Sequence, residues 1–389
     1  MIRKTQYCWR RRLFLVFCLL AFVSCLMGCA PSWEVALLGP EGNAIPFDRE
    51  TLKTLQDFAE EVEGKPQVPL ERVLYTGGYR LIDQLSVTDV EGARHIFAWG
   101  AVADDAWWLK DGRLAIGGDV FAASELEGEV SPLLARVQAS ITDIAPTVAA
   151  ALGVPAPAQA TGQRLGAPEA RYVLLIFLDG FGYVRYTETL LEGDAPYLAS
   201  LDDPLIALTA YPPGTAVASA TLLTGAPPEV HGANQRSIRK TESETLFDVV
   251  EAAGLRGVAV EGDALSFNLR HAEVQLSGDR DGNGGTDDNV LANALAVLQT
   301  GMPDFFWVHF HGIDDAGHTY GPGAEEERAK IREVDAAVEE LIAAVPQQTL
   351  IIIFADHGMH VVHEDSERLG NHGHLIDRDM VIPIFVMSK

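Results

Sequence analysis

The feature that most constrains the fold is an uninterrupted apolar run at residues 350–354 (LIIIF), followed closely by Asp356 and His357. Such a run predicts a strand that is buried on both faces, as in the interior of a parallel sheet. In open α/β sheets the chemistry lies outside the carboxyl ends of the strands. The adjacent carboxylate and imidazole therefore indicate a metal-binding position, against the alternative of a solvated loop.

Strands of the same kind alternate with helical patterns over residues 171–389. Residues 324–344 have the spacing of an amphipathic helix, and further strands are predicted at 172–178, 257–260 and 304–310. This alternation predicts a three-layer α/β sandwich, in which a mostly parallel central sheet has helices on both faces.

The amino terminus has the pattern of an export signal. A basic cluster precedes an apolar run at 13–27, which is too short for a comfortable membrane span. The run ends in LMGC at 26–29, which resembles a bacterial lipobox and implies cleavage before Cys29 and acylation of its thiol. An uncleaved anchor is the alternative. We therefore expect an exported chain that is lipid-anchored to the cell envelope through Cys29 and lies outside the cytoplasm.

Cysteine usage and charge exclude several classes of function. All four cysteines lie within residues 1–29, so the rest of the chain has no disulfide, thiolate ligand or cysteine nucleophile. The formal net charge of −26 is poorly suited to sequence-independent nucleic-acid binding, which needs clustered Lys and Arg. It also repels anionic lipid, so membrane attachment would depend on the acylated Cys29.

Candidate ligands follow several predicted strands, whose carboxyl ends converge on one crevice in a parallel sheet. As an ordered set, the motifs around them closely resemble the alkaline phosphatase superfamily, in its type I phosphodiesterase/nucleotide pyrophosphatase branch. The motifs are LDG at 178–180, TAVASATLLTG at 215–225, VHG at 230–232, DDAGHTYGP at 314–322, DHGM at 356–359 and GNHG at 370–373.

The resemblance implies two divalent metal ions and a threonine nucleophile. One metal would be held by Asp314, His318 and His372, and the other by Asp179, Asp356 and His357. Thr215 would bridge to the second metal as an alkoxide and form a covalent phospho-enzyme, which water then hydrolyses. Imidazole and carboxylate ligands without thiolate suit zinc best, with manganese or iron as alternatives.

Some positions stay open in this assignment. The Asp-x-x-x-His spacing favours Asp314 over its neighbour Asp315, and His374 is the substitute if His372 is not a ligand. Asn234 is the match for the residue that holds a substrate phosphate oxygen, with Arg236 or Arg239 as alternatives. The other histidines near the site are expected behind the ligands or on the surface, namely His309, His311, His360, His363 and His374.

Departures from the family pattern concern the substrate. Nucleotide pyrophosphatases usually have Thr-x-Pro-Asn at the nucleophile, where this chain has TAVA at 215–218. The arginine that marks phosphomonoesterases of the superfamily has no clear match, so monoester and diester substrates both stay open. The sulfatase branch is excluded, because Thr215 cannot supply its formylglycine.

One acidic loop resembles a calcium-binding site. DRDGNG at 279–284 matches the start of a calcium loop, with Asp279, Asp281 and Asn283 as ligands. The twelfth position is Val290 rather than Glu, and Asp287 or Asp288 would have to substitute. A structural calcium ion and a plain solvated turn are the two alternatives.

The expected domain organisation has three parts: a signal peptide at 1–28, a tether and small β-rich module at 29–120, and the catalytic domain at 121–389. Residues 171–389 would hold the metal site. Residues 121–165 contain a segment at 141–165 that resembles one this superfamily carries after its last metal histidine. This order predicts a circular permutation, with that segment beside a strand at 381–386.

Residues 73–121 have the pattern of short strands and turns, and residues 133–152 that of a helix or helix pair.

Together these features predict a two-metal hydrolase of phosphate esters that acts on a small phosphorylated substrate. A phosphonate hydrolase on the same site is the alternative within enzymes. A non-catalytic, lipid-anchored binding protein is the contrasting class, and the complete ligand set argues against it.

Overall fold

The computed structural model describes residues 33–62, 64–280, 282–362 and 368–389. The predicted signal peptide, Cys29, Asp281 and His363 lie outside these ranges, so export, acylation and the part of the calcium loop at Asp281 stay predictions. Among the helices of the described ranges, none combines the length and the apolar character needed to cross a membrane.

The amino-terminal part of the chain forms two five-stranded sheets joined by three short helices. The strands are β1 (Glu34–Leu38), β2 (Ala44–Asp48), β3 (Glu60–Val62), β4 (Lys65–Pro69), β5 (Ile82–Asp89), β6 (Arg94–Ala98), β7 (Ala106–Trp108), β8 (Leu114–Ile116), β9 (Asp119–Phe121) and β10 (Ala123–Val130). The helices are α1 (Arg49–Thr54), α2 (Leu70–Thr76) and α3 (Trp99–Val102). The sheet orders are β2-β1-β10-β5-β6 and β3-β4-β7-β8-β9. We call these residues the amino-terminal module.

Strand β10 lies beyond the predicted boundary between residues 120 and 121, although it pairs with strands that precede this boundary. It lies at the centre of the first sheet, parallel to β1 and antiparallel to β5, and so belongs to the amino-terminal module. The sequence ASELEGEV has no feature that assigns it to one domain, because a short alternating strand fits either sheet. The tertiary pairing with β1 decides it.

An eight-stranded sheet forms the centre of the rest of the chain, in the order β11-β13-β20-β17-β12-β16-β14-β15. Its strands are β11 (Ala139–Ser140), β12 (Tyr172–Leu178), β13 (Leu205–Leu208), β14 (Gly257–Glu261), β15 (Glu273–Leu276), β16 (Phe305–Phe310), β17 (Thr349–Phe354) and β20 (Val381–Ser388). A separate two-stranded ribbon pairs β18 (His360–Val361) with β19 (Gly370–Asn371). Strand β20 runs antiparallel to both of its neighbours, whereas the other described pairs in this sheet are parallel.

Helices cover this sheet in two groups. They are α4 (Ile144–Ala151), α5 (Tyr183–Glu192), α6 (Thr215–Thr224), α7 (Pro228–His231), α8 (Leu246–Ala252), α9 (Asp287–Thr300), α10 (Gly312–Tyr320), α11 (Glu325–Ala344) and α12 (Asp377–Met380). Helices α4, α6 and α8 pack together, and α11 packs on α9 and α10. Every residue of β16 and β17 is buried, as the apolar runs required. The predicted α/β fold with a mostly parallel central sheet and an amino-terminal β-rich part is confirmed.

Two local predictions were wrong. Residues 73–75, expected in a strand, lie in α2, where Leu70, Val73 and Leu74 are all buried at helical spacing. Residues 133–152, expected to be helical, contain a 3-10 turn at Pro132–Arg136 and strand β11 before α4 begins at Ile144. In both segments tertiary pairing and burial override the weak local preference.

We call the eight-stranded sheet with its covering helices the catalytic region, after the activity predicted for it. The segment at 141–165 belongs to this region and not to the amino-terminal module, because α4 packs on α6 and α8. Ile141 and Ile144 share one buried core with Ile382 and Ile384 of β20. Packing of the segment against β20 and the circular permutation both stay predictions.

The amino-terminal module packs on the catalytic region through a shared apolar core. Ile206, Tyr211, Leu375 and Met380 belong to the same buried cluster as the core of the module. The backbone N–H of Ile82 also donates to the carbonyl of Leu375 at 2.8 Å. The two parts therefore meet along a buried surface rather than through a linker.

A buried ion pair ties α5 to α11. Arg185 and Glu327 are 3% and 2% exposed, and the guanidinium donates to both carboxylate oxygens at 2.8 Å. We expect Arg185→Met to lower the free energy of unfolding by about 3–5 kcal/mol, because it leaves the Glu327 carboxylate buried and unpaired. Urea denaturation of the purified chain measures this.

The matched control is Arg94→Met, which removes a pair with Glu127 whose side chains are 56% and 46% exposed. That change should cost about 0–1 kcal/mol. Equal effects of the two substitutions would contradict a structural role for the Arg185 pair.

Candidate active site

The carboxyl ends of three neighbouring strands supply the acidic and imidazole groups of the site. Asp179 follows β12 directly, and Asp356 with His357 follows β17. His309 lies in β16 and His311 directly after it. Because β12 pairs in parallel with both β16 and β17, all these side chains leave the sheet at the same edge.

Three histidines present their Nε2 atoms to the site because a backbone carbonyl holds each Nδ1. The Nδ1 atoms of His318, His357 and His372 lie 2.8, 3.0 and 2.9 Å from the carbonyls of Gly370, Gly358 and Pro213. A carbonyl only accepts, so Nδ1 carries the proton and Nε2 keeps its lone pair. All three rings therefore have the tautomer of a metal ligand.

The carboxylates leave oxygens free on the side of these lone pairs. Asp356 accepts from the backbone N–H groups of Gly180 and His357 with Oδ1, whereas its Oδ2 is buried with no hydrogen-bond partner among the described residues. Asp314 Oδ1 is likewise buried without a described partner. Such atoms are costly unless something outside the chain satisfies them. A cation does so.

Distances group the predicted ligands into two adjoining sets. The ligand atoms of Asp314, His318 and His372 lie within 4.8 Å of one another, and so do those of Asp179, Asp314 and His357. Asp356 Oδ2 lies 3.2 Å from His357 Nε2. The described residues therefore fit two divalent cations side by side, with only nitrogen and oxygen donors. The roles of these residues as ligands stay predictions.

The electrostatics of the carboxylates favour an added positive charge. Burial, followed by repulsion from Asp179, raises the pKa of Asp356 well above its usual range. Burial alone would also raise the pKa of Asp179, but hydrogen bonds from His309 and His311 outweigh it and lower that pKa. Burial, with His357 and Arg236 nearby, holds the pKa of His372 well below its usual range, which keeps the imidazole neutral. Without a cation, two neighbouring carboxylates cannot both ionise at low cost.

Thr215 is the first residue of α6, and its hydroxyl lies beside the second set. Thr215 Oγ1 is 3.5 Å from Asp179 Oδ1 and 3.4 Å from His357 Nε2. Gly214 caps the helix, so the first backbone N–H groups of α6 point into the same space without intrahelical partners. A group attacked by this hydroxyl would lie at the positive end of the helix.

A cavity of about 320 Å³ opens over the site. Its lining includes Thr215, Asp314 and His372 together with Arg236 and Arg239. Asn234 does not line it, and its backbone carbonyl accepts from Arg72 of the amino-terminal module. The two arginines are therefore better placed than Asn234 to contact a bound anion. Asp315, the open alternative to Asp314, also lines the cavity but belongs to neither ligand set.

Glu261 was missed by the sequence analysis. It ends β14, is 2% exposed, and accepts from His309 Nδ1 at 2.9 Å and from Trp307 Nε1 at 2.7 Å. His309 Nε2 in turn lies 3.1 Å from Asp179 Oδ2. Glu261 thus orients the imidazole that orients Asp179. The signal available in the sequence was an acidic residue directly after an apolar strand.

The acidic loop gives the calcium prediction no support. Asp279 accepts from the N–H groups of Gly282 and Gly284, as in a turn. Asp287 is 1% exposed and accepts instead from the N–H groups of His311 and Gly312 at the start of α10. Its carboxylate therefore helps to position α10, which carries Asp314 and His318.

Part of the chain matches a known protein family. The family model for type I phosphodiesterase/nucleotide pyrophosphatase matches residues 266–382, which include Asp314, His318, Asp356, His357 and His372. The resemblance predicted from the motifs is confirmed. Asp179 and Thr215 lie outside the matched segment. A match to this phosphodiesterase family supports phosphoester hydrolysis as the class of reaction.

Similar curated proteins match only a short part of the chain. The catalytic subunit of human GPI ethanolamine phosphate transferase 3 is 28% identical over 94 residues, which is 24% of this chain and 8% of that protein. GPI ethanolamine phosphate transferase 3 of Saccharomyces cerevisiae is 33% identical over 108 residues, or 24% of this chain and 10% of that protein. The chain thus spans a tenth or less of the length of these two relatives.

The solved structures that match this chain share little sequence with it. Murine ectonucleotide pyrophosphatase/phosphodiesterase 5 in complex with AMP is 13% identical with a TM-score of 0.44, covering 55% of this chain and 87% of that one. Phosphonoacetate hydrolase from Sinorhizobium meliloti 1021 in complex with phosphonoacetate is 19% identical with a TM-score of 0.42, covering 53% and 60%.

The neighbouring aspartates 314 and 315 provide a matched test of the ligand assignment. Asp314→Asn should bind at least one transition-metal ion per chain fewer than the wild type, since its carboxylate faces both ligand sets. Asp315→Asn should bind as many ions as the wild type. Elemental analysis of chains purified without chelator measures the metal content. Loss of metal on substituting Asp315 but not Asp314 would reverse the assignment.

Proposed function

We propose that the chain is a two-metal hydrolase of phosphate esters with Thr215 as its nucleophile. The observation that carries this proposal is the position of the Thr215 hydroxyl. It lies at a helix N-terminus, 3.5 Å from Asp179 and 3.4 Å from His357, at the floor of a cavity lined by two arginines. The match to the phosphodiesterase family supports the class of reaction.

The chain's own residues account for binding and orientation of a phosphoryl group. Arg236 and Arg239 offer cationic donors to its non-bridging oxygens, and the first N–H groups of α6 add the positive end of a helix dipole at the same cavity. Arg236 is itself held by the backbone carbonyl of His372, to which its guanidinium donates. An anion bound by this arginine would therefore lie next to the candidate ligands.

Two divalent cations in the ligand sets, zinc by preference, would lower the pKa of the Thr215 hydroxyl and neutralise charge on the phosphoryl oxygens. In the first step Thr215 Oγ1 bonds to phosphorus and gives its proton to solvent, while the bond to the leaving group breaks and that group departs with the bonding electrons and is protonated by solvent. In the second step a water oxygen bonds to phosphorus, the Oγ1–phosphorus bond breaks, and one proton of that water returns to Oγ1. The hydrogen bonds from His309 and His311 keep Asp179 ionised and aimed at Thr215.

Substitution of Thr215 tests this mechanism. Thr215→Ala should lower turnover of an aryl phosphate ester by roughly two orders of magnitude or more, because no covalent route remains, while metal content stays at the wild-type value. Thr215→Ser should keep part of the activity, since the hydroxyl remains. Metal content and turnover are measured on the same preparations, with phosphate monoesters, diesters, nucleotides and phosphonates as substrates.

The control for metal loss is His357→Ala, which should lose both metal and turnover. Near-normal turnover of Thr215→Ala with full metal content would mean that water attacks phosphorus directly. That outcome would overturn the proposed mechanism but leave the family resemblance intact.

A second candidate is transfer of the phosphoryl-containing group to an alcohol instead of water. The names of the matched curated relatives describe an ethanolamine phosphate transferase, which favours this reading. The same intermediate on Thr215 would serve both reactions, because the second step only exchanges the attacking oxygen.

Partitioning of the products distinguishes transfer from hydrolysis. With an aryl phosphodiester as donor, added small alcohols should raise release of the aryl group and divert the rest of the substrate into a new ester if transfer occurs. A hydrolase should give mainly the water product while alcohol is far less concentrated than water, whereas a transferase should form the new ester well beyond the molar share of the alcohol. Mass spectrometry of the products provides the measurement.

A further inference from the structure

A second cluster of histidines and carboxylates lies where the amino-terminal module meets the catalytic region. Asp104 comes from a 3-10 turn of the module, His360 begins β18, and His374 follows β19. The ligand atoms of these three residues lie within 4.8 Å of one another. His374 Nε2 is 2.8 Å from Asp104 Oδ1, and His360 Nε2 is 3.5 Å from Asp104 Oδ2.

Both imidazoles are held from behind by carboxylates. His360 Nδ1 lies 2.9 Å from Asp379 Oδ1, and His374 Nδ1 lies 2.9 Å from Glu71 Oε2. Asp379 is 0% exposed and Glu71 is 8% exposed. When each Nδ1–H donates to its carboxylate, both Nε2 atoms turn to the same point beside Asp104. Carboxylate–histidine pairs of this kind are the usual surroundings of a metal-ligating imidazole.

One nitrogen of this cluster makes no well-formed hydrogen bond within the described residues, and its nearest acceptor is Asp104 Oδ2 at 3.5 Å. His360 is 5% exposed, and its Nε2 is buried with no hydrogen-bond partner among the described residues. A buried nitrogen left in this state costs about 1–3 kcal/mol. Because it faces Asp104 and His374, a ligand bound between the three residues would satisfy it.

Charge balance also favours added positive charge. Glu71, Asp104 and Asp379 bring three carboxylates together, and with neutral imidazoles the nearby Arg236 offsets them only in part. Two protons or one divalent cation would supply the missing charge. The separation of 3.5 Å between His360 Nε2 and Asp104 Oδ2 is long for a charge-assisted hydrogen bond, which favours a cation between the two atoms over a proton.

We propose that Asp104, His360 and His374 bind a divalent transition-metal ion of the zinc class, apart from the candidate catalytic ligands. Two imidazoles and a carboxylate provide three protein ligands, and the exposed side of Asp104 leaves room for water as the fourth. Such an ion would join the amino-terminal module to the loop that follows His372. It would therefore act as a structural clamp between two parts of the chain.

The location suits this role. Asp104 and His374 line a cleft of about 520 Å³ between module and catalytic region, and Arg236 and His372 line it as well. Asp379, which holds His360, also accepts from the backbone N–H groups of Gly373 and His374 at 2.8 and 2.9 Å. A metal bound at Asp104 would thus order the segment that carries His372.

The test uses the full-length chain saturated with zinc and then freed of excess metal. Crystals measured on both sides of the zinc absorption edge should show an anomalous peak between Asp104, His360 and His374. Elemental analysis should find one zinc ion per chain fewer in Asp104→Asn than in the wild type. Asp105→Asn, an exposed neighbouring change, is the matched control and should retain the wild-type zinc content.

Two outcomes would overturn the proposal. One is the absence of an anomalous peak at this position in the zinc-saturated wild type, which would leave two protonated histidines as the source of charge. The other is equal zinc content in Asp104→Asn and the wild type. Far-ultraviolet circular dichroism verifies that Asp104→Asn folds. Because the peak is located in space, loss of metal at Asp314 would not be confused with loss of metal at Asp104.

Discussion

Parallel pairing of β12 with β16 and β17 is the constraint from which the site follows. Leu178 is in register with Phe310, and Phe177 is in register with Phe354. This register fixes the points at which Asp179, His311 and Asp356 leave the sheet. A slip by one residue would turn each of these side chains to the opposite face of the sheet.

The same edge concentrates negative charge in a place that water hardly reaches. Asp179 and Asp356 are 3% and 0% exposed, and isolated carboxylates do not stay ionised at such positions. Histidines stabilise part of this negative charge; the imidazole of His309, for example, contacts the Asp179 carboxylate. It leaves Asp314 Oδ1 and Asp356 Oδ2 without described partners. The arrangement thus suits bound cations, and the proposed metal binding and the proposed chemistry would both depend on this charge.

The amino-terminal module is part of the surroundings of this site and not an appendage. Its core merges with that of the catalytic region, and Arg72 and Trp107 line the cleft that reaches Arg236 and His372. Residues far apart in sequence therefore form opposite walls of one cleft. These contacts place the two small sheets of the module next to the candidate active site.

The sequence by itself determined the class of fold and the chemical character of the site. Continuous apolar strands ending in Asp179 and in Asp356–His357 predicted a parallel sheet with ligands at its edge, because a strand that is apolar at every position must be buried on both faces. Short segments were not determined in this way. Strand β10, helix α2 and strand β11 have weak local preferences, and their places follow from the neighbours with which they pair or pack.

Tertiary structure alone decided the contacts between distant parts of the chain. Glu261 behind His309, Arg236 in place of Asn234, and Asp104 opposite His374 join residues from separate elements. No spacing in the sequence encodes such pairs, since the chain must first fold to bring them within hydrogen-bond distance. Residue type determined which atoms were able to bind a metal, and folding determined which of them face one another.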